Sequence, residues 1–157
     1  MNLPNIIGVK RGNLQFLESL MASIGVSKPE LARLMGMSPQ NIFAYFQRDD
    51  MRLSFAQRVV DRLGYELSLS LDRETPTSLC IVEIGLPQGT DRLAFLRIAL
   101  KKYGISRKDL AEKLGLNYTG VNRWFHVDDI AISYIFDIAE IYDLKVKTTI
   151  NPKQTGI

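Results

Sequence analysis

The chain has 157 residues, 46% hydrophobic and 24% charged, with a formal net charge of +3 and a pI near 9.0. That is the composition of a globular domain or two rather than of a disordered or fibrous chain. The single cysteine, Cys80, excludes an intrachain disulfide framework and a thiolate metal cage. No apolar run approaches the roughly 20 residues of a membrane span, and Met1 to Gly12 lacks an apolar signal-peptide core, so no membrane partner and a cytoplasmic location are expected. The positive balance is modest, and it is compatible with a polyanionic partner without requiring one.

In chain order, Leu14, Leu17, Leu20, Met21 and Ile24 recur at helical spacing and predict a first helix closed by Gly25. Ser27-x-x-Glu30 reads as a capping box opening a second helix to about Met35, with Pro29 tolerated in its first turn. Gly36 supplies a sharp turn, and Ser38-Pro39 opens a third helix with serine as N-cap and proline at the first helical position. Ser54-x-x-Gln57 reads as another capping box, starting a helix that runs to Leu63 and closes at Gly64. The period then changes: Tyr65 to Leu71 alternates strictly, the mark of a half-buried strand. After a turn-rich stretch, Leu79 to Ile84 reads as a second strand, so a hairpin is expected, and Leu86 to Thr90 forms a linker.

The pattern then starts again. Displaced by 79 positions, so that Gly25 falls on Gly104, Leu14–Leu71 overlays Leu93–Ile150 without a gap. Identities include Phe16/Phe95, Leu17/Leu96, Phe46/Phe125, Asp49-Asp50/Asp128-Asp129 and Ser54/Ser133. Helices are predicted over Asp91–Tyr103, Ser106–Leu114, Asn117–Phe125 and Ser133–Tyr142, followed by an alternating segment, Leu144 to Ile150. A repeat this long is a small domain rather than one solenoid turn. The expected organisation is a first unit with its terminal strand over 1–72, a hairpin strand and linker over 73–90, and a second unit with its terminal strand over 91–157. Which strands pair is not fixed by the pattern.

Two helices that cross steeply need a small residue at the crossing and a glycine in the turn. Ala32 with Gly36, and Ala111 with Gly115, satisfy both demands at one spacing. Met37, Ile42 and Tyr45, matched by Leu116, Val121 and Trp124, supply apolar anchors for the helix that follows. On these residues both units resemble the lambda-repressor-like, Cro/XRE-type helix-turn-helix family, over roughly Leu14–Leu63 and Leu93–Tyr142. The resemblance implies a mainly α fold of two tandem helical bundles, with a small β-hairpin or sheet after the first and a terminal strand after the second. It implies a third helix in each unit that enters the major groove of double-stranded DNA. It also implies no cofactor and a bacterial or phage-type transcriptional regulator acting on the nucleoid. This sequence departs from the family where a glutamine is common at the motif's first position: it has Lys28 in one copy and Arg107 in the other.

On the third helix of the second unit, Tyr118, Thr119, Asn122, Arg123 and His126 share one side, with Asn117 at its start; Val121, Trp124 and Phe125 share the other. Arginine can pair bidentately with guanine and asparagine with adenine, and threonine can meet a thymine methyl. Arg107 and Lys108, with Lys101 and Lys102, are placed for phosphate. The first unit's face is Ser38, Pro39, Gln40, Phe43, Ala44 and Gln47, with Arg48 just beyond and Lys28 at the second helix's start. Gln40 and Gln47 can read adenine, whereas an exposed Phe43 also suits a protein contact. The two units then serve either as an internal pseudo-dimer or as halves of a homodimer. The alternative to DNA binding is a protein-interaction module, such as an antitoxin.

Other signals carry less. The paired aspartates follow the third helix in a loop before the next cap, which explains them better than acid–base catalysis or magnesium binding. Lone His126 and distant Cys80 do not make a metal site. The aromatic pairs Tyr45-Phe46 and Trp124-Phe125 read as core rather than as stacking platforms for unpaired RNA bases. With no glycine-rich phosphate cradle and no nucleophile–base set, no catalytic residue and no enzyme are expected.

Overall fold

The computed structural model describes residues 11–73 and 91–154. The first repeat forms α1 (Gln15–Ile24), α2 (Lys28–Met35), α3 (Pro39–Arg48), α4 (Leu53–Arg62) and strand β1 (Tyr65–Asp72). The second forms α5 (Ala94–Lys102), α6 (Arg107–Leu114), α7 (Tyr118–Val127), α8 (Ile132–Ile141) and strand β2 (Lys145–Pro152). The described residues are thus mainly helical, with one two-stranded antiparallel sheet. None of these helices is long and apolar enough to cross a membrane. The strand expected over Leu79 to Ile84, its hairpin, Cys80 and the linker lie outside the described residues.

Local chemistry accounts for the starts of α2, α3 and α6. The Ser27, Ser38 and Ser106 hydroxyl oxygens accept from the amides of Glu30, Asn41 and Asp109 at 3.3, 3.2 and 3.0 Å, satisfying donors that lack intrahelical partners. Glu30 answers Ser27 through its hydroxyl, at 3.0 Å. Gly36 and Gly115 end α2 and α6 in the left-handed region, at φ 67° and 68°, which glycine adopts without strain. Ala32 and Ala111 are buried beneath these turns.

The last helix of each repeat starts differently from expectation. Arg52, not Ser54, is the N-cap of α4, and Ala131 holds that place for α8. The box Ser54-x-x-Gln57 does not form. Ser54 already lies in the first helical turn, and both its amide and its hydroxyl donate to the Asp129 carboxylate, at 2.9 and 2.6 Å. Ser133 donates in the same two ways to Asp50, at 2.9 and 2.8 Å. Each repeat therefore caps the final helix of the other.

These exchanged caps obey a local two-fold. Arg52 and Ala131, equivalent under the sequence offset, form an antiparallel bridge. Around it Leu53 donates to the Ile130 carbonyl at 2.8 Å, and Ile132 to the Met51 carbonyl at 2.9 Å. The sheet has the same centre of symmetry: Leu69 pairs with its own equivalent, Thr148, in an antiparallel register running from Tyr65↔Pro152 to Asp72↔Lys145. A pairing of like with like in opposite directions is isologous.

The core is correspondingly shared. Leu67, Leu69 and Leu71 point from β1 into one hydrophobic cluster containing Leu17, Leu31 and Val59 of the first repeat and Leu96, Leu110 and Ile138 of the second. The alternation read from the sequence is sharp in β1 and blurred in β2, where Val146 and Ile150 are only half-buried. β1 packs against its own α4 and against α5 of the other repeat. At that contact, burial works to raise the Asp72 carboxyl, but Lys102 at 2.7 Å, the Tyr103 hydroxyl and the Arg73 amide outweigh it and hold the group at about 2. Arg11 reaches Asp137 on α8 at 2.7 Å, and Lys153 on the β2 side pairs with Asp61 on α4.

Asp129→Ala removes two bonds to Ser54 and one to the Ile130 amide, and leaves the α4 start uncapped. A loss of about 1–3 kcal/mol is expected, read as a lower urea midpoint at unchanged slope. A midpoint equal to the parent's contradicts the exchanged cap.

Candidate nucleic-acid interface

The third helix of each repeat is held by its buried side and leaves a face outward. Ile42 and Phe46 anchor α3; Val121 and Phe125 anchor α7. Tyr45 stacks on Phe55 with centroids 4.8 Å apart, and Trp124 tilts against Tyr134 at 5.1 Å. These aromatics are consumed by packing, as the sequence implied. Their polar neighbours at i, i+3, i+4 and i+7 are left on the other side.

On α7, Tyr118, Thr119, Arg123 and His126 are exposed, as is its N-cap Asn117, whose side chain makes no capping bond. Asn122 is half-buried because Arg107, at the first position of α6, donates to its Oδ1 at 3.1 Å. The Arg107 guanidinium lies 4.0 Å from the centroid of the Phe125 ring, and Arg97 lies 5.2 Å from that centroid. A guanidinium on an aromatic face is attracted by the ring quadrupole and keeps its edge free to hydrogen-bond. Arg107 thus fixes the Asn122 amide with the oxygen toward itself, and both amide N–H donors remain for another acceptor. Lys108 beside it is exposed.

On α3, Pro39, Gln40, Phe43, Gln47 and Arg48 are exposed, with Phe43 at 45%. Ser38 spends its hydroxyl on the Asn41 amide. Lys28 is half-buried, its Nζ 4.9 Å from the Phe46 ring centroid, the counterpart of Arg107 over Phe125. Arg48 lies over Tyr45 at 5.1 Å. Of the candidate residues, only Arg107 and Asn122 are brought into a direct bond among the described contacts.

Two placements differ from the sequence reading. Lys102 is not left to phosphate alone; it is ion-paired with Asp72 on the sheet side, and that carboxylate raises its pKa. The aspartates are helix caps as well as loop residues. Asp49 accepts from the amides of Gly12, Asn13 and Leu14 at 2.9, 3.0 and 3.1 Å, and Asp128 accepts from those of Arg92 and Leu93 at 2.7 and 3.0 Å. One further contact has no sequence motif behind it. Tyr142, the C-cap of α8, donates to Asp109 in the first turn of α6 at 2.6 Å, with Lys113 4.7 Å from the Tyr142 ring centroid. Burial and then that carboxylate push the Tyr142 hydroxyl above its ordinary pKa, so it stays a donor, and α6 is tied to α8. No local pattern marks a residue 33 positions away as its partner.

Comparisons with family models, with curated proteins and with solved structures give no match to this chain.

Arg107→Gln removes the cation from the Phe125 face while leaving an amide donor near Asn122. About 1 kcal/mol of stability should go with it, seen as a lower thermal midpoint. An unshifted melt means that the stacked guanidinium does not join α6 to α7.

Proposed function

We propose that this chain binds double-stranded DNA in a sequence-specific manner through α3 and α7, as a tandem, lambda-repressor-like (Cro/XRE-type) regulator of transcription acting on the nucleoid. One observation carries the reading: Thr119, Asn122, Arg123 and His126 share an outward face of α7, beside a basic start to α6, and the Arg107–Asn122 bond sets one of them in place. In this reading Arg107 and Lys108 hold phosphate, and Asn122 and Arg123 meet base edges. Lys28, the equivalent of Arg107, takes the corresponding phosphate position beside α3, and Arg48 at the end of that helix supplies a second cation. The glycine turns at Gly36 and Gly115 let each reading helix leave its support steeply. The net charge of +3 is small for such a task, so affinity rests on a few placed cations rather than on a general basic field.

A second reading has its own observation. Phe43 and Leu34 of the first repeat are 45% and 40% exposed, on neighbouring helices. An apolar pair of this kind suits a protein partner, and the chain then acts as an interaction module, as an antitoxin does.

Salt separates the readings. With a duplex selected from a random pool, log K should fall with log salt by about 0.9 per phosphate neutralised. Arg123→Ala should cost about 1–3 kcal/mol of specific binding and relax the preference at one base pair. Fluorescence anisotropy that finds no saturable duplex binding at low salt contradicts the proposal and leaves the protein-partner reading.

A further inference from the structure

We infer that the DNA site is an inverted pair of unlike half-sites read by one chain: a G·C-containing block under α7 and an A·T-only block under α3. This rests on the DNA-binding reading above and goes beyond it by fixing orientation, stoichiometry and base class.

Orientation follows from the local two-fold. The Arg52–Ala131 bridge and the Leu69↔Thr148 pair each join a residue to its own equivalent, and the two flanking hydrogen bonds and the two Asp–Ser caps are copies of one another under the same exchange. A two-fold between α3 and α7 presents them to a duplex in opposite senses. The matching arrangement in DNA is two half-sites inverted about a centre, as operator symmetry mirrors protein symmetry. Direct repeats match a translation, which this sheet register does not allow. Both readers are in one chain, so a single molecule fills the site.

Base class follows because the same two-fold makes the faces comparable position by position. Arg123, exposed on α7, falls on Ala44 of α3. Arginine grips guanine O6 and N7 together; alanine offers only a methyl, which suits thymine. Asn122 falls on Phe43, which has no donor or acceptor and, at 45% exposed, presents its ring outward. Phe43 also gives Lys28 no acceptor, so the bond from Arg107 to Asn122 has no counterpart on the first repeat. Thr119 falls on Gln40, which can pair bidentately with adenine. The α3 face therefore combines two adenine readers, Gln40 and Gln47, with apolar groups that fit thymine methyls; its arginine, Arg48, sits at the helix end over the Tyr45 ring, in the phosphate role given above, so no side chain takes the place of Arg123.

The test is selection of bound duplexes from a random double-stranded pool by the full chain and two variants. The parent should enrich two different blocks, centred about one helical turn (~34 Å) apart, in a complex of one protein per duplex by native mass. Arg123→Ala should lose the guanine from one block only, with roughly 10-fold weaker binding to the parent site. The triple variant Gln40→Thr, Phe43→Asn, Ala44→Arg changes surface positions of α3 to those of α7. It should turn the A·T block into a second G·C block, and the selected site should become a palindrome. Direct repeats, a palindrome already enriched by the parent, or loss of guanine from both blocks in Arg123→Ala overturns this inference while leaving DNA binding intact. No enrichment by the parent overturns DNA binding itself and this inference with it. If the triple variant fails to melt cooperatively, Arg123→Ala alone decides.

Discussion

Each half of this molecule finishes the other's last helix. The Asp50 and Asp129 carboxylates leave their own repeats and accept from both the amide and the hydroxyl of Ser133 and Ser54. A carboxylate at a helix N-terminus satisfies orphan donors and opposes the positive end of the helix dipole. Placed in trans, the same interaction also fixes how two halves meet. The Arg52–Ala131 bridge lies between the two caps, and the strands pair along the same axis. The outward position of α3 and α7 as symmetric equivalents depends on this arrangement.

The exchange answers a problem of size. A unit of four helices and a strand is close to the lower limit at which a single core can hold a fold. Here β1 lies between α4 of its own repeat and α5 of the other, and its three leucines enter the common core. Covalent linkage keeps the two halves at a high effective concentration, so the pairing does not depend on how much protein is present. An isologous interface is usually made by two identical chains; here duplication within one chain lets the halves differ. Phe43 opposite Asn122 and Ala44 opposite Arg123 are differences that a homodimer could not hold.

Much of the helical plan was legible because its signals are local. Ser27, Ser38 and Ser106 cap within three residues of themselves, and Gly36 and Gly115 sit where their helices end. The burial of Val121 and Phe125 and the exposure of Thr119 and Arg123 follow from helical period alone. What was not legible is long-range. Ser54-x-x-Gln57 has the letters of a capping box, but an aspartate 75 positions away takes the serine, and the N-cap lies two residues earlier, at Arg52. In each repeated Asp-Asp the first aspartate bonds within its own repeat and the second reaches the other, a division that two identical letters in a loop do not reveal. Pairing of β1 with β2 has no local signature either, because alternation states that a strand has two faces and not which strand lies beside it. In the candidate interface the residue types were readable, but the bond that orients Asn122 was not; it depends on Arg107 stacking on a ring 18 residues away in sequence (Arg107 to Phe125).

The most direct measurement of the central claim is native-state amide hydrogen exchange at Ser54 and Ser133, the two amides held by the opposite repeat. If the exchanged caps bind the halves into one cooperative body, both amides exchange only with global unfolding, at a common opening free energy equal to that of core helix amides. Fast exchange at either amide while the core of its own repeat stays protected would show that the halves open independently, and the account would fail.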